Sequence, residues 1–520
     1  MCGVLFLKTN KKLSQKDIIS FENALIQQSW RGPDYTNFIL SENRDWIIGH
    51  NRLSILDLSD RGNQPFKTED SLISYNGEIY NYKELIKKYK LKTNTLCDTE
   101  LVAYLANKSN NKFIRELEGM FAYVLVNKKN GDWHAARDIF GIKPLYYYND
   151  KNLTVVGSEP SAIAYITNSS VDQESLKEWE ILRRPCPGFT FFEGVKELPP
   201  GNIIKYENNK ISLERYDSEL DKIYVNQDQN LKEIIFESVK NHQIADCPIT
   251  TMLSGGVDST LVTNFANNSK DSYSIGSASF NEFRLAKQTA EIINKQLHEI
   301  NLESNSLKNI WNELTSIRGE PLSVPNEASI YCLCKSIPRK TKVILTGEGA
   351  DEIFMGYSRI ILDVFNKKLK NKNDFFGRYS YKENKIDMKN LTERFITWEI
   401  KNCGYKFDIH YVRRFFLNFH MLNLLRRMDF ASMAASKEAR TPFLNRAILS
   451  YANNMEINTL IRKRTKEDLR LILDDLNMEH ISKSEKIAFS AKGPNQTRFE
   501  HYKEFRSVTL KKFDLIMKLK

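Results

Sequence analysis

Twice in this chain an apolar strand runs into a glycine-containing loop and then a helix: Ile249 to Leu253 before residues 254–259, and Val343-Ile344-Leu345 before residues 347–352. Strands alternating with helices predict a parallel, doubly wound sheet, and the switch-point rule puts both loops on one sheet edge. In Ser254-Gly255-Gly256-Val257-Asp258-Ser259 the glycines permit positive φ, so successive N–H groups can curl around an anion. The following helix adds its positive N-terminal end. Ser254 and Ser259 offer hydroxyl donors, and Asp258 can hold Mg²⁺. No GxxxxGK[ST] occurs, so the loop suits a pyrophosphate leaving group better than γ-phosphoryl transfer. In the second loop Glu348, Asp351 and Glu352 crowd beside Gly347 and Gly349. Such carboxylates repel one another unless they share a cation, which makes them candidate metal ligands facing a nucleotide.

The region before residue 216 has another texture. Short strands such as Trp46 to Ile48, Leu72 to Tyr75 and Phe121 to Val126 alternate with turns, with helices at 82–89 and 98–106. This predicts a sheet-rich α+β domain over 1–216, joined near 217–229 to an α/β domain over 228–520 whose later part, from about Ile361, is mostly helical.

Composition narrows the function classes. The 520 residues are 41% hydrophobic and 27% charged, ordinary for packed cores. No apolar run approaches the roughly 18 residues of a membrane helix. Val4 to Leu7 is followed, not preceded, by Lys8, Lys11 and Lys12, the wrong order for a secretory signal. No membrane association and a cytoplasmic location are expected. The net charge of +11 is spread among acids, so nucleic acid is not an expected partner; the dense stretches 367–372 and 462–466 read as solvated faces. Seven cysteines without a CxxC pair exclude a disulfide or zinc framework and read as small apolar residues, Cys2 excepted.

With Ser254 to Ser259 followed by Gly347 to Glu352, and the run Met433-Ala434-Ala435-Ser436-Lys437-Glu438-Ala439-Arg440-Thr441-Pro442-Phe443-Leu444, the second domain resembles the synthetase domain of asparagine synthetases. The resemblance implies an ATP-pyrophosphatase fold that uses ATP and Mg²⁺, with Leu253 and Ile275 lining the adenine pocket, Gly347 and Glu348 at the nucleotide, and Asp258 and Asp351 on the metal. It also implies that Lys486 steadies the charge of the adenylation transition state.

Cys2 becomes N-terminal once Met1 is removed, and its α-amino group, with a pKa of about 8, can take the thiol proton. Residues 30–34, 49–55, 75–81 and 98–100 follow in order, with 119–122 and 136–147 after them. Together they resemble the N-terminal-nucleophile glutaminase domain of the class II amidotransferases. Glutamine presents a carboxylate, an ammonium and an amide. Arg52 can grip the carboxylate with two hydrogen bonds, and Asp98 with Glu78 can hold the ammonium. The Asn76 side chain and Gly77 N–H are placed for the oxyanion formed when Cys2 attacks, with Gly77 keeping the approach clear.

The chain departs from the family pattern at Trp30 (usually His), Phe430 (usually Arg) and Asn445 (usually Asp), and it ends soon after Lys486. The resemblance implies amidation of a carboxylate through an acyl-adenylate, with aspartate the family default. Glu348, Asp351 and the segment 325–331 are candidates to shape the acceptor pocket. A sugar uronate is the alternative acceptor, and a glutamine sensor with dead sites is the non-enzymatic alternative. A homodimer is a family expectation.

Overall fold

The computed structural model describes residues 2–108, 112–207, 210–217, 230–277, 281–380, 386–461, 464–484 and 496–519. Up to residue 215 it contains two antiparallel six-stranded sheets. One runs, in spatial order, Lys196–Glu197, Tyr146–Asn149, Leu153–Gly157, Gly3–Thr9, Trp46–Arg52 and Tyr35–Leu40. The other runs Lys210–Arg215, Asn202–Glu207, Trp133–Arg137, Gly119–Asn127, Ser71–Ile79 and Phe66–Lys67.

Side chains that alternate along each strand divide between two cores. Val4, Phe6, Trp46 and Ile48 meet Leu72, Ala122, Val124 and Val126 between the sheets. Leu5, Leu7 and Ile47 pack on the other face against Phe21, Leu25 and Ile163 from the helices Gln15–Gln27 and Pro160–Thr167. Ile73, Tyr75 and Leu125 meet Leu101, Val102 and Leu105 from the helix Asp98–Lys108. The layers therefore stack helix, sheet, sheet, helix. Cys2 enters the central strand Gly3–Thr9 directly and is 8% exposed.

The second half is built on one parallel sheet ordered Gln296–Asn301, Asp271–Gly276, Ile249–Met252, Val343–Leu345 and Glu438–Arg440. Strand order reverses between Ile249–Met252 and Val343–Leu345, which places the two glycine loops side by side at the C-terminal edge. The part beyond Ile361, expected to be mostly helical, also supplies one strand, Glu438–Arg440, which forms the sheet edge. Charged residues at both ends hide it from a hydrophobic pattern, and both are buried because they pair with each other at 2.7 Å.

Charged pairs join the two halves. Arg31 meets Asp429 at 2.9 Å, Glu159 meets Arg426 at 2.5 Å, and Glu78 meets Arg440 at 2.8 Å, all with side chains at most 9% exposed. Arg394 binds Asp172 and Glu178. The helix Arg498–Leu519 crosses back, packing Phe505 on Trp311 and Phe513 against Phe191 and Phe192. Among the described residues no helix is long and apolar enough to cross a membrane.

Candidate active site

Cys2 lines a pocket with Arg52, Gly77, Glu78, Asp98 and Glu438 that holds about 360 Å³ of space not filled by protein atoms, part of it open to solvent. The Cys2 backbone N–H donates to Asn76 Oδ1 at 2.9 Å, so Asn76 is clamped at its oxygen. Its Nδ2 is buried and without a hydrogen-bond partner, an amide donor held ready beside the thiol. From the other side, Arg31 Nε donates to the Cys2 carbonyl at 3.0 Å while its fork binds Glu159 and Asp429. Burial pushes the Cys2 thiol up, and the Leu53 backbone and Arg52 favour the thiolate against it. A protonated thiol with a cationic neighbour suits a nucleophile that ionises only as it attacks.

Asp98 opens its helix and accepts from the Tyr75 hydroxyl at 2.6 Å and the Ile79 N–H at 2.8 Å. Burial nevertheless raises its carboxyl to about 6. Glu78 presents Oε2 to Arg440 and keeps a buried Oε1 without a hydrogen-bond partner; burial pushes its carboxyl well up, more than Arg440 offsets. Burial would also raise Glu438, yet Arg440 and Lys143 hold it down. A carboxylate from the second domain thus faces the first domain's nucleophile.

The structure adds to two expectations here. The four Nη hydrogens of Arg52 go to the carbonyls of Leu56, Asp57 and Ser59 and to Asn63 Oδ1. A two-pronged grip on a carboxylate therefore requires some of these bonds to be exchanged. Packing constrains Gly77 as well as access: a Cβ there would stand 2.3 Å from the Met120 carbonyl, because its strand pairs closely with Gly119–Asn127.

At the sheet edge, Gly255 has φ +77, and Gly256 opens the helix Val257–Phe265. Ser259 Oγ receives the Ser254 N–H at 3.1 Å, and the two hydroxyls stand 3.0 Å apart. Leu253 is fully buried and Ile275 half-buried on the neighbouring strand. Gly347 touches the first loop, since a Cβ would lie 2.7 Å from Asp258 Cβ and 2.9 Å from Ser259 N. Lys466 Nζ then bridges Asp258 at 2.6 Å and Asp351 at 2.5 Å. Asp258 Oδ1 is buried and without a hydrogen-bond partner. Two carboxylates around one cation, with an acceptor atom to spare, fit a divalent ion beside phosphates.

Glu348 is bound by Arg427 at 2.5 Å. Glu352 is not on this cation: it accepts from Tyr357, and burial, then Asp351 and Glu348, raise it to about 8. Lys486 lies outside the described residues.

Lys466 corrects the solvated-face reading of 462–466. It is 5% exposed and sits at φ +61, an unusual conformation for a lysine, held by its two ion pairs. Sequence reasoning missed Lys466, Arg427 and Arg31. Nothing near Lys466 flags it, since its partners are distant in sequence.

The Asparagine synthase family model matches residues 230–514, more than half of the chain, and the Glutamine amidotransferase domain model matches residues 1–217. The chain belongs to the asparagine synthase family. It is 30% identical over 383 residues to asparagine synthetase [glutamine-hydrolyzing] 1 of Bacillus subtilis, covering 69% of this chain and 59% of that one. A second Bacillus subtilis family member, asparagine synthetase [glutamine-hydrolyzing] 3, is 26% identical over 512 residues, 88% of this chain and 81% of that one. Amidase chry2 of Gibberella zeae is 29% identical, over 70% of this chain and 60% of that one.

Proposed function

We propose that this chain is an ATP-dependent, glutamine-hydrolysing amidotransferase that converts a carboxylate, L-aspartate in the first instance, to its amide. The observation that carries the reading is the meeting of Asp258 and Asp351 on one cation beside the paired glycine loops, in a chain whose N-terminal thiol has its own cavity.

In the first site the Cys2 α-amino group takes the thiol proton as sulfur attacks the glutamine amide carbon. Asn76 Nδ2 and the Gly77 N–H receive the developing oxyanion. Collapse to the thioester expels ammonia, which leaves with the transferred proton, and water then releases glutamate and restores the thiol. Asp98 holds the glutamine ammonium, and Arg52 meets its carboxylate.

In the second site the acceptor carboxylate attacks the α-phosphorus of ATP, forming an acyl-adenylate with pyrophosphate leaving along the 254–259 loop. Asp258 and Asp351 would hold Mg²⁺, which neutralises phosphate charge when bound. Lys466 adds positive charge beside the 254–259 loop, and by family resemblance Lys486 steadies the charge of the adenylation transition state. Ammonia displaces AMP from the acyl carbon. Free ammonia would be protonated in bulk water, so transfer inside the protein is required, and exclusion of water also protects the adenylate.

The test supplies amide-¹⁵N glutamine, MgATP and L-aspartate to protein lacking Met1. Labelled asparagine with matching AMP and pyrophosphate is the expected result, and Cys2→Ala should abolish it while retaining synthesis from ammonium. Glutamate without asparagine would sink aspartate as acceptor and move the search to uronates and other carboxylates. Glutamine-dependent synthesis by Cys2→Ala would overturn the nucleophile assignment.

A further inference from the structure

We propose that Lys466 is an internal rival of the metal: its ammonium and a divalent ion exclude one another between Asp258 and Asp351, so the ion is admitted there only with a phosphate that takes the ammonium in exchange. The proposal rests on the ATP-dependent reading above and adds an order of binding to it.

The ammonium stands on the ground that an ion held by both carboxylates needs. Lys466 Nζ is 2.6 Å from Asp258 Oδ2 and 2.5 Å from Asp351 Oδ1. The carboxylate side chains are 14% and 16% exposed, so a ligand can approach them although the lysine itself is sealed at 5%. Mg²⁺ takes oxygen ligands at about 2.0–2.1 Å and requires near-octahedral order around it. Two cations crowded between the same carboxylates, with little water to screen them, repel one another strongly.

The fold is shaped to this lysine. A Cβ at Gly356 would stand 2.0 Å from Lys466 Cε and 2.0 Å from Asp351 Oδ1, so only glycine leaves room for the end of the stem. Lys466 immediately precedes the helix Glu467–Asp475, which the fully buried Leu469 and Leu473 anchor. Arg470 on that helix donates to the carbonyls of Thr465 and Ser482. The backbone is therefore held, and the part free to move is the methylene stem with its charge.

The neighbouring carboxylates are engaged elsewhere: Glu348 pairs with Arg427, and Glu352 accepts from Tyr357. An ammonium displaced from Asp258 and Asp351 would be stranded unless an anion arrived with the ion. The metal alone brings no such anion. A nucleotide does, and its phosphates on the 254–259 loop would lie beside Asp258, which is part of that loop and already a partner of Lys466. Metal and nucleotide must then favour each other's binding by the same factor.

Mn²⁺ is the probe, because the free ion's electron paramagnetic resonance signal is lost on binding. Titrated into the full chain without nucleotide, it should bind wild type weakly, and Lys466→Met and Lys466→Gln should each tighten it by about tenfold or more. Adding Asp351→Asn to Lys466→Met should abolish the gain. Equal affinity in wild type and both lysine variants, or a gain that survives Asp351→Asn, would overturn the exchange. If neither variant folds, wild type decides it: crystals grown with Mg²⁺ and α,β-methylene-ATP should show Lys466 Nζ off at least one carboxylate and on a phosphate oxygen. An ammonium still bridging Asp258 and Asp351 in that complex would overturn the proposal equally. No turnover is read, so failure here is separate from failure of the labelled-glutamine assay.

Discussion

Asp98 shows how a single side chain sets a pH dependence. Burial lifts its carboxyl to about 6, although the Tyr75 hydroxyl and Ile79 N–H both favour the charged form. A raised carboxyl is neutral below that pH and charged above it, and only the charged form attracts the ammonium of glutamine. The KM for glutamine should therefore rise as pH falls through about 6, and Asp98→Asn should give a high KM without that inflection. Steady-state glutaminase kinetics from pH 5 to 8 decide it; a flat wild-type profile would remove Asp98 from the ammonium site. Asn76 makes a complementary point. Its oxygen is spent on the Cys2 N–H, which fixes the direction of its unpartnered nitrogen.

Among elements, the paired loops depend on backbone contact rather than on side chains. Gly347 lies so close to Asp258 and Ser259 that any Cβ must push the loops apart. Gly347→Ala is expected to depress ATP–pyrophosphate exchange strongly while glutamine hydrolysis stays near wild type; equal loss of both would mean a global defect instead. Two family departures also form one feature at this scale. Trp30 packs edge-to-face on Phe430, ring centres 5.4 Å apart at 86°, so the changes form one aromatic contact between the halves. Asn445 caps the helix Arg446–Asn454 by accepting from the Ala447 N–H, a role in which Asn and Asp are nearly interchangeable.

For the whole molecule, Arg440 is the residue on which both halves close. Fully buried, it binds Glu438, Glu78 and the carbonyls of His242 and Ile244, and its own carbonyl receives the Thr346 N–H just before the second loop. Arg440→Met would strand the low-pKa carboxylate of Glu438 in the interior, at a cost of about 3–5 kcal/mol. Urea unfolding should show a lower midpoint. An unchanged midpoint would mean that solvent reaches the pair.

The sequence alone determined the two textures, the strand–loop–helix units and the family. Period-two patterns and glycine loops are local signals, written within a few residues of where they act, and Asp258 and Asp351 lie on the glycine loops, whereas Cys2, Asn76 and Asp98 are marked by the family resemblance. Tertiary structure decided which charges pair. Lys466 reads as an exposed lysine until folding brings it between Asp258 and Asp351. Arg52 carries the same lesson, since the carbonyls that bind its fork are set by the fold of residues 56–63. Coulomb attraction inside a protein depends on distance and burial, and neither is recorded in the order of residues along a chain.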